Sequence, residues 1–180
     1  MAWTTPMTAV ANTALTAAQW NAHVRDNFLE TSPAKATASG QMFVATGTNA
    51  IAARTPSGAT VATSQTTTST AYVDLTTAGP IVTVTTGTKA IVSIAANMDT
   101  NTTANPVYAS YAVSGATTIA ANDAWCILRD AITQVNPNRW GVTHFVDTLN
   151  PGSNTFTMKY KSTTSTTATF LNRTIVVIPL

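Results

Sequence analysis

Residues that carry out chemistry are few in this sequence and widely spaced. Its 180 residues include two histidines, one cysteine and seven carboxylates, and no two acidic residues lie within three positions of each other. Catalysis needs a nucleophile, a base or a set of metal ligands that meet in one cleft. The spacing assembles no such set, so we expect a protein that is not an enzyme.

The histidines and the cysteine are expected to be structural or contact residues. His23 falls on a predicted N-terminal helix, where it would contact a partner or solvent, and His144 falls in a predicted strand on the same face as Val142 and Val146. Ser-His-Asp catalysis also needs an activated serine, and no Gly-x-Ser-x-Gly elbow is present. Cys126 lies in an apolar run, which predicts a buried and inert thiol.

Carboxylates from distant positions can still meet in a fold and act as an acid–base pair. Five aspartates therefore remain open as alternatives: Asp74, Asp99, Asp123, Asp130 and Asp147. Asp99 could also be a calcium ligand, but its surroundings lack the carboxylate density of a calcium site, which favours a turn-forming role. Glycine-rich phosphate loops are absent. We predict neither a metal site nor a cofactor.

The composition excludes several classes of protein. Charged residues make up 9% of the chain, and nine Lys/Arg against seven Asp/Glu give a net charge of +2 without a basic cluster, which argues against nucleic-acid binding. Hydrophobic residues make up 44%, which argues against disorder. No apolar run approaches the roughly 18 residues of a membrane span, and no cation precedes Arg25, so we expect neither a membrane protein nor a signal peptide. With 38 threonines and 30 alanines, the surface must be largely uncharged.

One helix is predicted near the N-terminus. Thr16 and Gln19 have the types and spacing of a capping box, which marks a helix start. Trp20, Val24 and Phe28 follow at four-residue spacing and would share one face. A proline soon afterwards ends the helix, since the residue before proline avoids helical geometry. The stretch that precedes the helix has no regular period and is expected to be an extended arm.

The chain divides by composition into three zones. Residues 1–31 form an arm and a helix, which pack either on the rest of the chain or on another molecule, and we favour the second. Residues 32–69, with scattered glycine and proline and few large apolar residues, are expected to be a linker or loose collar. Residues 70–180 contain dense β-branched runs separated by turn residues, and are expected to form a β domain.

The β domain is predicted to be an antiparallel sandwich or jelly roll of about eight strands. The period is two from residue 70 onward, most clearly where Phe156, Met158 and Tyr160 alternate with polar residues. Turn signals recur every 8–12 residues or so, as in sandwiches. Some strands, above all the last, are apolar on both faces, which predicts a cover for the second face. We expect a homotrimer to supply it.

Three N-terminal motifs resemble a known group of proteins. Trp3-Thr4-x-Pro6, Leu15-Thr16-Ala17 and Trp20-Asn21-x-x-Val24-Arg25-Asp26-Asn27 are similar to the opening of virion structural proteins from tailed bacteriophages, many of which infect high-GC Gram-positive hosts. The similarity covers roughly residues 3–28. It implies a β domain of jelly-roll type, assembly in the host cytoplasm and a place in the virion. Members are described as minor tail, fibre or head-decoration proteins.

The resemblance and the spaced aromatics together predict an anchor. Its residues are Trp3, Pro6, Trp20, Asn21, Val24, Arg25 and Phe28. We favour a capsid decoration or head-fibre protein that binds the major capsid protein. One alternative is a minor tail or tail-fibre protein that binds a host surface glycan through Tyr72, Tyr108 or Trp140. Another is a tail module that cleaves glycans.

Overall fold

The protein folds into two compact units. The computed structural model describes residues 3–102, 105–130, 138–164 and 166–180. Met1–Thr55 form the smaller unit and Pro56–Leu180 the larger. Within the described residues, no helix is both long and apolar enough to cross a membrane. The structure is mainly β, and its sheets are antiparallel, as predicted.

The smaller unit begins with an extended arm followed by short helices. The helical elements are α1 (Ala17–Trp20), a π-helical segment (Asn21–Arg25), α2 (Asp26–Leu29) and α3 (Ser32–Lys35). The predicted capping box is confirmed. The Gln19 N–H donates to Thr16 Oγ1 at 3.2 Å, and the Thr16 N–H donates to Gln19 Oε1 at 3.0 Å. The predicted α-helix is thus interrupted by a π-helical turn, a feature that proteins often use at functional sites.

An antiparallel hairpin completes the smaller unit. Its strands are β1 (Met42–Gly47) and β2 (Ala50–Arg54), and Asn49 takes the left-handed conformation at the turn. Asparagine tolerates that conformation because its short side chain bonds locally. The stretch 32–69, which the sequence suggested as a linker or collar, therefore contains regular strands.

The larger unit is a two-sheet sandwich. Its strands are β3 (Ser57–Val61), β4 (Gln65–Thr67), β5 (Ile81–Thr86), β6 (Ala90–Thr100), β7 (Val107–Gly115), β8 (Ile127–Arg129), β9 (Asn138–Val146), β10 (Gly152–Ser162) and β11 (Ala168–Pro179). One sheet has the order β3-β11-β6-β9, with β4 also paired to β11, and the other has the order β5-β10-β7-β8. A 3₁₀ turn, Asp123–Trp125, precedes β8.

The strand order is that of a jelly roll. Numbered along the chain without β4, the strands from β3 to β11 become strands one to eight. The order is then one-eight-three-six in the first sheet and two-seven-four-five in the second. All the pairings are antiparallel. Eight strands in two such sheets are the jelly-roll architecture. The jelly-roll fold is as predicted, but the described part of residues 70–180 supplies only β5 to β11, and β3 and β4 lie in the zone that was assigned to the linker.

The hydrophobic core lies between the two sheets. Along β6 and β10 every second residue is buried, and Phe156, Met158 and Tyr160 point inward as the alternation predicts. Facing residues of β6 and β11, including Ile94 and Phe170, close the core from the other sheet. Each such side chain contributes about 1.5–3 kcal/mol when it leaves water, which makes this packing the main source of stability.

The outer face of the sheet that contains β6 carries apolar residues as well. Phe145 pairs with Ile91 across β9 and β6, and Ile91 pairs with Ile178 across β6 and β11. Because paired residues share a face, these three form a row on the outer side. Phe145 and the nearby Val176 are exposed. The row agrees with the expectation that some strands are apolar on both faces, and the homotrimer itself stays a prediction.

Candidate functional site

The smaller unit exposes its large apolar side chains. None of the described hydrophobic residues in Met1–Thr55 is buried. Eight large ones are exposed: Trp3, Val10, Leu15, Trp20, Phe28, Leu29, Met42 and Phe43. The larger unit is more than twice as long, yet its described residues include only five exposed large hydrophobic side chains: Ile81, Leu128, Trp140, Phe145 and Val176. The large exposed apolar side chains are thus concentrated in the smaller unit.

Asn27 fastens the arm to the helix. Its side-chain oxygen accepts the Thr4 N–H at 2.8 Å, and its side-chain nitrogen donates to the Thr4 carbonyl at 2.9 Å. The same nitrogen donates to the carbonyl of His23 at 3.1 Å. Asn27 is 4% exposed, and no other described residue of the smaller unit is buried. The amide therefore holds the arm in a fixed register across the helical segment.

A cavity of about 290 Å³ lies beside this junction. It is lined by Trp3, His23, Val24, Asn27, Phe28 and Thr31. Three of the predicted anchor residues, Trp3, Val24 and Phe28, are thus brought together. The walls combine the apolar side chains of Trp3, Val24 and Phe28 with three polar residues, the mixture that is usual for a binding pocket.

Trp3 also borders a second cavity. This one measures about 320 Å³ and is lined by Trp3, Glu30, Ala45, Gly47, Asn49, Ala50 and Ile51. The Trp3 N–H donates to the carbonyl of Asn49 at 3.1 Å, which attaches the arm to the β1–β2 turn. Trp3 is therefore positioned by its backbone, while the residue remains 40% exposed.

The other predicted anchor residues lie outside both cavities. Trp20 is 54% exposed at the end of α1, and Pro6 is exposed in the arm. The Asn21 N–H caps α1 through helix carbonyls. Arg25 is exposed and forms a 2.8 Å ion pair with Asp26, whose hydrogen bond raises the arginine pKa. The group of Trp3, Val24 and Phe28 thus lines a cavity, whereas Trp20 is exposed outside both cavities.

Charges in the smaller unit are largely paired with each other. Besides Arg25 and Asp26, Lys35 lies 2.8 Å from Glu30. The hydrogen bond from Lys35 lowers the pKa of Glu30 below its usual value. A partner that met this surface would gain little from long-range charge attraction, so apolar contact must supply most of the affinity.

In the jelly roll, His144 joins the two sheets. The register places it on the inner face of β9 with Val142 and Val146, as predicted. Its Nδ1 lies 2.6 Å from the hydroxyl of Tyr111, a β7 residue of the opposite sheet. Burial raises the pKa of the Tyr111 hydroxyl, so the phenol keeps its proton. A protonated phenol can donate to the imidazole or accept from it, so the tautomer of His144 sets the direction of this hydrogen bond.

Trp125 packs against this pair. Its ring stacks on the imidazole of His144 with centroids 5.1 Å apart and planes 15° apart. Its indole N–H donates to the carbonyl of Tyr111 at 3.4 Å. The three rings border a cavity of about 190 Å³ that Ile119, Phe145, Val146, Asp147 and Thr148 complete. The sequence suggested only a satisfied sheet histidine here, because Trp125 and Tyr111 lie 19 and 33 positions from it.

Two tyrosines that the sequence suggested as glycan contacts lie close together, Tyr108 on β7 and Tyr72 in the segment between β4 and β5. The Lys161 Nζ is 4.9 Å from the ring centre of Tyr72 and 4.5 Å from that of Tyr108. Lys161 also forms an ion pair with Asp123 at 2.8 Å, and the Tyr72 hydroxyl donates to Asp123 at 2.8 Å. Lysine thus occupies a position over both rings, and the cluster holds the loop before β8 against the sheet.

The pKa values in this cluster follow from its contacts. The hydrogen bond from Lys161 lowers the pKa of Asp123, and burial, aided by the bond to Asp123, raises that of Tyr72. Burial raises the pKa of the Cys126 thiol, whose Sγ donates to the carbonyl of Asp123 at 3.3 Å. Cys126 is half-buried rather than fully buried as expected, because the 3₁₀ turn leaves it at the edge of the sheet.

The remaining candidates are dispersed. Asp99 lies in β6 rather than in a turn and pairs with Arg129 at 2.7 Å. Asp74 pairs with Lys159 at 2.6 Å, and Trp140 lies on β9, in the sheet opposite that of Tyr108. Among the described residues, no group of three histidine, cysteine or acidic side chains is placed to hold a metal ion.

Comparison with known proteins gives one kind of match. No family model matches the chain, and no curated protein sequence matches it. Solved structures that match include a chain from "Structure of infectious bursal disease virus Gx strain", at 13% sequence identity and a TM-score of 0.41. The alignment covers 76% of this chain and 36% of that chain, so this chain spans about a third of its length.

Proposed function

We propose that this protein is a structural component of a bacteriophage virion, with Met1–Thr55 as the unit that docks on the particle. The observation that carries the proposal is that unit's lack of buried apolar residues among those described. A unit of this size is stable only if it buries apolar surface. Docking would bury it, and the N-terminal motifs that resemble phage virion proteins lie in the same unit.

The docking surface is the group formed by Trp3, Val24 and Phe28, together with Trp20. Buried aromatics at the centre of an interface often cost 2 kcal/mol or more when they are truncated. Each buries about 150–250 Å². The Asn27 amide fixes the arm before binding, which reduces the entropy lost on docking. The partner we favour is the major capsid protein, which makes this a decoration or head-fibre protein.

The jelly roll would be the part that projects from the particle, as a trimer. The apolar row Phe145–Ile91–Ile178 on its outer face supports contact between copies. Trimerisation would also triple the number of docking units, which raises overall avidity without new contacts. A monomeric mass for the full chain in light scattering would remove the trimer from this proposal and leave the docking unit in place.

The proposal includes no catalytic role. Three of the five aspartates that sequence left open as acid–base candidates are bound to cations: Asp74 to Lys159, Asp99 to Arg129 and Asp123 to Lys161. Such pairs hold loops and sheets together. Their placement supports a structural use of these charges.

The test is occupancy on purified particles that lack the native protein. Trp20→Ala and Trp3→Ala should each reduce binding at least tenfold, since each removes a buried contact. Trp140→Ala is the matched control, because Trp140 is 47% exposed, close to the 54% of Trp20, but lies in the jelly roll. Normal occupancy of both docking variants would overturn the proposal. Hundreds of wild-type copies per particle would support the capsid, and a handful would place the protein on the tail instead.

A further inference from the structure

We propose that the cavity beside His144 binds a single pyranose ring, the terminal sugar of a glycan. This site is distinct from the docking unit and would give the projecting jelly roll a ligand of its own. It also differs from the tyrosine pair that the sequence suggested. There, Lys161 already lies over the rings of Tyr72 and Tyr108.

The cavity is built by both sheets. Tyr111 comes from β7 in one sheet and His144 from β9 in the other, and their hydrogen bond connects the two across the sandwich. Trp125, from the 3₁₀ turn before β8, stacks on His144. The mutual contacts of the three rings fix the shape of this wall. A pre-formed wall of this kind costs little ordering entropy when a ligand binds.

The polar groups of the wall are only partly used. The Tyr111 hydroxyl and the Trp125 N–H are bonded within the wall. Asp147 and Thr148 also line the cavity, and neither side chain bonds to any residue that the structure describes. Together with the imidazole of His144 they offer a carboxylate acceptor, a hydroxyl and a ring nitrogen next to aromatic rings.

This combination matches the chemistry of a sugar. A pyranose presents an apolar C–H surface together with adjacent hydroxyls that both donate and accept. The ring of Trp125, which is only partly buried, supplies apolar contact, while the Asp147 carboxylate can accept bonds from hydroxyls. A purely apolar ligand would dehydrate Asp147 and Thr148 and return no hydrogen bond, which is unfavourable.

The size of the cavity limits the ligand to one ring. Its volume of about 190 Å³ is below the range of roughly 300–1,000 Å³ that is usual for drug-sized ligands. A single ring of about twelve non-hydrogen atoms reaches roughly millimolar affinity at ordinary ligand efficiency. Several copies on one particle would then convert weak single contacts into firm attachment to a glycan-covered surface.

The experiment uses the isolated full-length protein, so it does not depend on particle docking. A panel of methyl glycosides (glucoside, galactoside, mannoside, rhamnoside and N-acetylglucosaminide) is titrated at millimolar concentrations. The readouts are the imidazole signals of His144 and the indole signal of Trp125 in NMR spectra. We expect at least one glycoside to shift both signals saturably.

Asp147→Asn is the diagnostic variant. Asp147 is exposed, so the substitution should leave the fold intact, and it should weaken the glycoside that binds by about tenfold because a charge-assisted hydrogen bond is lost. Asp130→Asn, another exposed aspartate that does not line the cavity, should change nothing. The inference is overturned if no glycoside gives a saturable shift, if Asp147→Asn binds as the wild type does, or if phenol binds and no glycoside does.

Discussion

The side-chain amide of Asn27 is bonded to both backbone polar groups of Thr4, at 2.8 Å to the N–H and 2.9 Å to the carbonyl. The two residues are 23 positions apart, and each belongs to one of the N-terminal motifs. A primary amide accepts through its oxygen and donates through its nitrogen, whereas an ionised carboxylate only accepts. The motifs are thus parts of a single structural device, in which the helix holds the arm that carries Trp3.

Asn27→Asp should loosen the arm. The carboxylate can still accept the Thr4 N–H, but the donations to the Thr4 and His23 carbonyls are lost, at about 1 kcal/mol each. We expect hydrogen exchange at the Thr4 and Trp3 amides to become roughly tenfold faster, while the unfolding temperature of the jelly roll stays unchanged. Asn21→Asp is the control, since that side chain makes no hydrogen bond among the described residues. Wild-type exchange rates in Asn27→Asp would show that the amide does not hold the arm.

In the smaller unit, the sequence predicts contacts between residues close together in the chain and misses those between distant residues. The Thr16–Gln19 capping box is local, so residue types and spacing were enough to find it. The Thr4–Asn27 bond joins a structureless arm to a helix, and no periodicity connects them. Both residues stand in the recognised motifs, but only the structure gives Asn27 a role. The cavity beside it is likewise missed, because it is formed by the arm and the helix together.

The same contrast holds in the jelly roll. Alternation located the long central strands β6, β10 and β11, because burial on one face imposes a period of two. Strand β3 was missed because an edge strand of small and polar residues buries little. Residues Ala71–Leu75 lie where the predicted period of two begins, yet they form only an isolated bridge, between Val73 and Tyr160. Long-range pairing and not local sequence decides such segments.

Asn154 is predicted to be a main support of the loops at one end of the sandwich. It is fully buried, accepts the Thr117 N–H at 2.8 Å, and donates to Thr86 Oγ1 at 2.7 Å and to the Asn150 carbonyl at 3.0 Å. Asn154→Ala removes the three hydrogen bonds of this buried side chain and should lower the free energy of unfolding by about 3 kcal/mol in denaturant titrations. Asn138→Ala, at an exposed end of β9, should change it by less than about 0.5 kcal/mol. Equal stability of the two variants would contradict this account.

The contribution of Arg173 to stability is predicted to depend on the shape of its guanidinium as well as on its charge. It is fully buried, donates to the carbonyls of Thr77 and Gly79 and to Gln65 Oε1, and stacks 5.3 Å from the ring centre of Tyr160. Arg173→Lys keeps the charge but loses the planar set of donors, so we expect a loss of at least about 2 kcal/mol in unfolding free energy. Arg139→Lys is the matched exposed control and should cost less than about 0.5 kcal/mol. A small effect at Arg173 would mean that charge alone suffices.

Alkaline pH should destabilise the jelly roll through its tyrosines. Burial raises the pKa of Tyr72, Tyr111 and Tyr160 above the ordinary value of 10.0. An acid whose pKa is raised by folding stays protonated in the native state while the unfolded chain ionises, so its stabilising contribution is complete below pH 10 and is lost as the pH rises above it. We expect the unfolding free energy to fall steadily above pH 10, and tyrosinate absorbance to rise together with loss of the β-sheet circular dichroism signal. Tyr111→Phe should make the fall shallower, since one ionisable group is removed. Ionisation of these tyrosines near pH 10 in a protein that remains folded would contradict the prediction.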